Sequence, residues 1–415
     1  MKRRILATAA AALAAMLAAA ACGADPTGGD GDGKTAGTIK FIAASYSDNT
    51  TQYWEDLVKE FESKNKGVKV ELQVMDWDTL LKQVPTLIQT KQYPDILNYN
   101  DFSAYAKEGL LHPVKDVMSD DLQGQFASTF TDKAQLDGTQ YGVPFIASVR
   151  SLAYNKKIFD EIGESEPPKT WDDLKRIAKK AKAKGYVGYG LPLGAEEAQA
   201  EFSMWMWNNG GNWKDGDTWA INSDQNVQTL NFLRDLANKD KVTQPNPGKT
   251  DRSDGVWKAF SQGKVAMAAI MPHGTFTNKY MADAPFDWAA APFPTNTGAE
   301  SVTLGVQDFL MSFKKPGNKE PVSKFLEFFY QQDNYVKFNQ SEGFLPVTNS
   351  AAEVMKSDPI VAAGIELLPN ARFAPVEDAK WTDVAKEARE TLGTAMDPKK
   401  DPKAVLDRLQ KVASG

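Results

Sequence analysis

Residues 137–156 read DGTQYGVPFIASVRSLAYNK, and how this stretch folds decides the architecture of the whole chain. Asp137-Gly138 is a hairpin turn signal. Residues 141–146 form an apolar, β-favouring run interrupted by Pro144, and 151–155 form a second short apolar strand. Proline has no N–H to give to a sheet ladder, so a strand that carries one belongs at a sheet edge or in a passage between two parts of a molecule. Ser148 and Arg150 lie between the two halves and place polar groups at that point. On these residues alone two readings stay open: an ordinary strand pair inside one domain, or a crossing from one lobe to another.

The flanking sequence alternates regularly. Residues 38–43 (TIKFIA) read as a strand, and 51–64 as a helix with Trp54, Leu57, Val58 and Phe61 on one face. Val68, Val70, Leu72 and Val74 alternate with polar residues, as in a half-buried strand. A helix at 80–88, a strand at 95–98 and a short helix at 102–107 follow, so the first part of the chain is an α/β unit with a mostly parallel sheet. Ligands of such units meet the loops beyond the strand carboxyl ends, here 44–49, 76–78 and 99–101. After the central stretch, Thr170 and Asp173 form a capping box that opens a helix, and FSMWMW at 202–207 begins an aromatic-rich one that ends at Asn208-Asn209-Gly210-Gly211. Helices at 225–238 and 254–262, a strand at 265–270, a loop-rich run at 283–298, a strand at 303–313, a helix opened by Pro321 and two terminal helices at 381–392 and 402–412 complete the reading.

With 415 residues, 42% of them hydrophobic, the chain can build two cores. Its net charge of −6 and the absence of an aromatic-interleaved basic patch argue against nucleic-acid binding. Lys2, Arg3 and Arg4 precede an Ala-rich apolar segment that ends in small residues before Cys22, which is the pattern of an export signal. Cys22 is the sole cysteine, so no disulfide within the chain is possible. Residues 17–22 (LAAAAC) resemble a bacterial lipobox, with Ala19 where that motif usually has Leu, and the resemblance implies lipidation of Cys22. Residues 23–37 are a Gly/Asp-rich tether. Within it, 28–35 match the phosphate-loop pattern G-x-x-x-x-G-K-[ST] without the strand before and helix after that its chemistry requires, so no nucleotide site is expected.

Enzyme signatures are poor. Two histidines, His112 and His273, cannot make a His-rich metal site, and no serine elbow is present. No metal and no cofactor are expected. Aromatic residues are abundant, with 10 Trp and 12 Tyr, and several sit near turns or helix ends: Tyr46, Trp77, Tyr99, Trp205, Trp207, Trp213 and Trp219, with the ring of His273. Flat rings stack on the apolar faces of sugars while Asp, Asn, Gln and Arg bond their hydroxyls, so this inventory suits carbohydrate recognition. Trp54 and Trp171 lie on apolar helix stripes and belong to the core. Trp205 and Trp207, two apart on a helix, cannot share a face, so one is expected in the core and one in a cleft.

Taken in order, the motifs Tyr93-Pro-Asp-Ile96 with Glu108-Gly-Leu-Leu111, Asp137-Gly138 with Tyr141-Gly-Val-Pro144, Tyr154-Asn-Lys156, Pro167-Pro-Lys-Thr-Trp171, Ala259-Phe260 with Gly263-Lys264 and Ala266-Met267, and Gly343 with Leu345-Pro346 resemble the extracellular solute-binding proteins of ABC importers, the group that includes maltose-binding protein. The resemblance runs from about residue 38 to 392. It implies an α/β, two-lobe periplasmic-binding-protein-like fold with three inter-lobe crossings near 144–150, 302–311 and 343–349, and a ligand trapped by hinge closure. Lobe 1 would comprise 38–147 plus 304–345, and lobe 2 would comprise 148–303 plus 346–415.

The site then expected takes Tyr46, Asp48, Asn100 and Asp101 from the first lobe and Trp205, Trp207 and His273 from the second, with Ser148, Arg150, Asp308 and Phe344 near the crossings. Ser148 and His273 fall where maltose-binding protein has a ligand-contacting carboxylate and a stacking Trp, so the same sugar in the same pose is not expected. The expected protein is a monomer outside the cell membrane, tethered by its lipid anchor, which binds a carbohydrate and delivers it to the permease subunits of an ABC transporter. The alternatives are a binding protein for a charged solute (a polyamine or glycerophosphodiester), a secreted glycosidase, and an extracytoplasmic scaffold protein.

Overall fold

Gly142–Val149 and Ser151–Asn155, with Arg150 alone between them, belong to different sheets. The computed structural model describes residues 37–415; the export segment, Cys22 and the 28–35 motif lie outside the described residues.

Strand β1 (Gly37–Ala44) pairs in parallel with β2 (Val68–Met75) and with β3 (Ile96–Tyr99). Helices α1 (Thr50–Lys64) and α2 (Trp77–Gln89) connect them. The Asp76 side chain caps α2 by accepting from the Thr79 N–H, which starts this helix earlier than its apolar run alone suggests. Strand β4 (Gly142–Val149) carries Pro144 and pairs with the long β9 (Thr303–Ser312), whose register shifts between Asp308 and Phe309. No second full ladder forms on β4; Ala147 makes a single bridge to Leu345. An edge strand beside a bulge is where a proline costs least.

The second sheet runs in the order β8, β5, β7, β6, made of β5 (Ser151–Asn155), β6 (Val187–Gly190), β7 (Val265–Ile270) and β8 (Trp288–Ala291). Its helices include α3 (Trp171–Ala183), α4 (Ala198–Trp207) and α5 (Asp224–Asn238). The Thr170–Asp173 capping box is formed in both directions, and Leu174, Ile177, Ala178 and Ala181 face inward. Strand β8 falls inside the run read as loop, where one Trp and three Ala give too short a signal to stand out from their Pro- and Asp-rich surroundings.

The backbone returns from β8 to β9, and helices α6 (Lys319–Phe329) and α7 (Gln332–Glu342) follow. The segment expected in lobe 2, 346–415, divides. Val347 O accepts from the Ala127 N–H, Asn349 N–H donates to Gln125 O, and β10 (Ala371–Arg372) pairs with β9, so 346–372 stay beside the six-stranded sheet. Helices α8 (Trp381–Thr391) and α9 (Pro402–Ser414) pack on the second sheet's side, where Trp381 meets Trp213 at 5.2 Å between ring centroids. The passage between the sheets therefore falls at 373–380 rather than at 343–349.

Two aromatic cores hold the sheets' outer faces. Trp54 is fully buried among Phe41, Phe329 and Phe338 at centroid distances of 4.8, 4.9 and 5.4 Å. Trp171 stacks on Phe232 at 4.3 Å and meets Trp205 edge-on at 5.7 Å.

Gly343 ends α7 with φ +72°, and a Cβ there would lie 2.7 Å from Gly274 Cα. Gly317, at φ +74°, has open space around it. Gly317→Ala should cost about 1 kcal/mol of stability from backbone strain, whereas Gly343→Ala should cost clearly more because two backbones collide. Thermal denaturation of the two variants side by side checks this; equal losses would mean that the 274/343 contact yields freely.

Candidate functional site

A cleft of about 460 Å³ opens between the two sheets. Its floor follows from strand periodicity: Ile146 and Ser148 on β4 and Val306 and Asp308 on β9 alternate onto one face and all four line it. The first wall comes from the loops beyond β1, β2 and β3, which contribute Tyr46, Asp76, Trp77 and Asn100. Those are the loops expected from the parallel sheet.

Tyr46 is the link between wall and floor. Its hydroxyl lies 2.6 Å from Asp308 Oδ2 and 3.1 Å from Asn98 Oδ1; with one proton to give, it donates to the nearer carboxylate. Burial pushes the Asp308 carboxyl up to about 6, against the bond from Tyr46. The Tyr46 carbonyl accepts from Thr275 Oγ1, which belongs to the opposite side of the cleft.

The second wall is a lattice of matched charges. Arg150, 6% exposed, donates through Nη1 to Ser148 Oγ at 2.9 Å and through Nη2 to both Glu197 oxygens at 3.1 and 3.3 Å. Arg252 bonds Glu197 and, at 2.9 Å, Glu196, while its guanidinium lies 4.5 Å over the Trp257 ring. Ser253 donates its N–H and hydroxyl to Glu196 at 2.9 and 2.5 Å. Burial works against the Glu196 carboxylate, but Arg252 and Ser253 outweigh it and hold its pKa below the ordinary value. The result is a wall rich in directed donors and acceptors with most of its charge internally balanced.

Two half-buried rings face into the space from opposite sides, Trp77 and Tyr280, and Trp77 lies 6.0 Å from Tyr46 in an edge-on contact. Arg389 of α8 also reaches the cleft and has no hydrogen-bond or ion-pair partner among the described residues.

Of the residues expected at the site, Tyr46, Asn100, Ser148, Arg150, Asp308 and Phe344 come together in this cleft. Asp48 does not; its side chain is 93% exposed and sits 3.9 Å from Lys279. Asp101 is buried, accepts from Thr382 and Ser103, and lines a smaller neighbouring cavity. Trp205 and Trp207 are both core residues: α4 is buried on all sides, so two different faces both point inward. Their N–H groups donate to Glu201 and Asn212. His273, 1% exposed, stacks on nothing in the cleft. Its Nε2 accepts from the Val149 N–H at 3.3 Å, so Nδ1 carries the proton and donates to Gly343 O at 2.9 Å. Burial lowers its pKa to about 4, and it is a neutral structural residue. Sequence reading missed Glu196, Glu197, Arg252, Trp257, Tyr280 and Arg389. Charged residues on helices and loops look solvated until distant segments fold over them, and no local signal marks these as lining residues.

Two α/β sheets face a polar, aromatic-walled cleft, floored by the strands that lead from one sheet to the other, which is the architecture of a two-lobed binding protein. The sequence profile described as "Bacterial extracellular solute-binding protein" matches residues 47–336, and the chain belongs to that family. A protein of Brucella abortus (strain 2308) whose name describes it as a putative binding protein is 33% identical over 380 residues, covering 89% of this chain and 91% of its own. The maltose-bound MalE3 of T. maritima superposes with a TM-score of 0.78 at 20% identity, covering 91% of this chain and 99% of its own. A sugar transporter protein from Arthrobacter chlorophenolicus A6 with bound laminaribiose superposes at 0.79 and 19% identity, with the same coverage. Among the described residues no helix is long and apolar enough to cross a membrane.

The Asp308 carboxyl makes a pH-dependent prediction. A folded pKa of about 6 against ~3.9 unfolded means that the folded state binds the extra proton between these values. Stability contributed by this group therefore rises as pH falls from about 6 to about 4, and its penalty, at most ~3 kcal/mol, is fully present at pH 7. Asp308→Asn should be more stable than the wild type at pH 7, by a margin that shrinks towards pH 4. Denaturant melts across that range check it; a margin constant with pH would show that Asp308 ionises normally.

Proposed function

We propose that this protein is the extracytoplasmic receptor of an ABC importer, that its ligand is a sugar, and that the cleft between the sheets closes on it like a hinge. The observation that carries this reading is the composition of the cleft: a half-buried ring from each side, Trp77 and Tyr280, around a floor and wall of hydrogen-bonding groups in which Arg150 and Arg252 are paired with Glu196 and Glu197. A neutral polyol uses such a surface well, because it offers oxygen atoms to both donors and acceptors and apolar ring faces to the aromatic side chains. The matched charges of Arg150, Arg252, Glu196 and Glu197 give a strongly charged solute little to pair with on that wall. The superposable proteins with bound maltose and laminaribiose support the same reading at the level of fold.

In this reading lobe 1 comprises the six-stranded sheet with 346–372, and lobe 2 the four-stranded sheet with the C-terminal helices. Three crossings join them, at Arg150, between β8 and β9, and between β10 and α8. The Thr275 hydroxyl already donates to the Tyr46 carbonyl across the cleft, and closure around that contact completes the surface that the permease reads. Cys22 carries the lipid that keeps the receptor at the membrane.

Titration calorimetry over mono- and disaccharides, preceded by a thermal-shift screen, should find a sugar that binds. Trp77→Ala and Tyr280→Ala should each weaken that sugar about tenfold, ~1.4 kcal/mol. Tight binding of a polyamine or a glycerophosphodiester with no sugar bound would overturn the reading. For the anchor, Cys22→Ser should move the protein from the membrane fraction to the medium and abolish incorporation of labelled fatty acid; retention at the membrane would exclude lipidation at this site.

A further inference from the structure

Behind the main cleft, between β9 and α8, lies a smaller side chamber of about 80 Å³. It shares a neck with the cleft, where Asn100, Glu197, Gln199, Val306 and Arg389 line both spaces. Its inner wall is largely apolar, formed by Leu304, Phe373, Ala374 and Trp381.

The neck holds groups that the protein itself leaves unmatched. Arg389 has no acceptor: the nearby Asp101 accepts from Thr382 and Ser103, and Glu197 is engaged by Arg150 and Arg252. Arg389 is half-buried, and burial lowers its pKa from the ordinary value. Gln199 Oε1 is buried without a donor. So is Gln307 Oε1 on the chamber wall, because its amide nitrogen is fixed on Phe130 O. Buried polar groups without partners are costly, and a site built to pair them with a ligand rejects ligands that cannot do so.

Size narrows what can enter. A cavity of ~150 Å³ holds benzene, so about half that volume holds a substituent of a few heavy atoms and not a second sugar ring. That substituent must bring an acceptor for Arg389, a donor for one of the two glutamine oxygens, and an apolar end for the Phe373 and Trp381 wall. A hydroxymethyl group brings the first two and leaves the apolar wall uncovered. A carboxylate brings no donor and adds negative charge beside Asp101, whose own carboxyl burial already pushes up. A secondary amide with a methyl group meets all three demands.

We propose that the side chamber receives the acetamido group of an N-acetylated amino sugar whose ring occupies the main cleft. The carbonyl oxygen accepts from Arg389, the N–H donates to Gln199 or Gln307, and the methyl group lies against Phe373 and Trp381. This rests on the reading of the cleft as a sugar site and adds the substituent that distinguishes its ligand.

The test is calorimetry with matched gluco, galacto and manno sets, each as the parent hexose, the 2-acetamido sugar and the uronate, and as their β-1,4-linked dimers where these exist. The acetamido member of one set should bind at least tenfold tighter than its parent and its uronate. Ala374→Trp, which fills the chamber from a half-buried position outside the cleft, should abolish that preference and leave the parent sugar's affinity as it was. Ala374→Leu provides the same reading if the larger side chain prevents folding, and a thermal melt of each variant establishes that it is folded. Arg389→Gln should also reduce the preference. If sugars bind but the acetamido and parent members are equal, if the uronate is preferred, or if the preference survives filling of the chamber, the inference is wrong and the sugar reading stands. If no sugar binds in any set, the reading of the cleft fails and takes the inference with it.

Discussion

The pairing of β4 with β9 is the constraint on which the rest depends. These antiparallel strands run side by side where the chain leaves the six-stranded sheet, and their shared face supplies the whole floor of the cleft. Because side chains alternate along a strand, fixing the register of this pair fixes Ser148 and Asp308 towards the ligand space at the same time. A slip by one residue would turn both away and present Ala147 and Gln307 in their place. The bulge at Asp308 and the proline opposite Phe309 make such a slip difficult, since neither feature can be moved along the ladder without a matching change in its partner.

On that floor the second wall is assembled from segments far apart in the chain: Arg150 at the end of β4, Glu196 and Glu197 before α4, and Arg252 and Ser253 from the loop that follows α5. No one of these charges would be stable alone in a half-closed space. Each is held by at least one of the others, so the wall is rigid before a ligand arrives, and little reorganisation has to accompany binding. Arg389, at the neck, stands apart from this set and has no partner within it.

The alternation of strands and helices was legible because burial imposes a period on each: two in β1 and β2, and three to four in α1 and α3. The stretch at residues 142–155 left two readings open on its own residues, because a proline limits where a strand can lie without saying what lies beyond it, and the family resemblance chose the passage. Tyr46 and Asn100 could be placed near the cleft because they follow strand ends, Ser148 and Arg150 because they lie between the halves of that stretch, and Asp308 only from the crossings that the resemblance implies. Trp205, Trp207 and His273 were misplaced because an aromatic ring in a sequence carries no sign of whether it faces a core or a cleft. In α4 the apolar residues encircle the helix, so the rule that two faces imply two environments does not hold. Arg389 and the Glu196–Glu197 pair were invisible for the opposite reason: their neighbours, Asn100 and Val306 for the first and Arg150, Arg252 and Ser253 for the pair, are distant in sequence, and only the assembled fold brings them together. The turn towards the C-terminal helices was placed too early because the segment after α7 returns to pair β10 with β9, a contact of two residues that no pattern announces.

The position of Trp77 has a practical consequence. Of the 10 tryptophans, seven are buried, Trp257 at the cleft wall and Trp381 at the side chamber among them, and Trp77 is the partly exposed one that lines the cleft, beside Tyr46 and Tyr99. In the closure proposed above, its indole stands where solvent is expelled as the two sides meet. On that reading the protein carries its own optical gauge of occupancy, and intrinsic fluorescence would follow capture and release in real time without a label or any alteration of the chain.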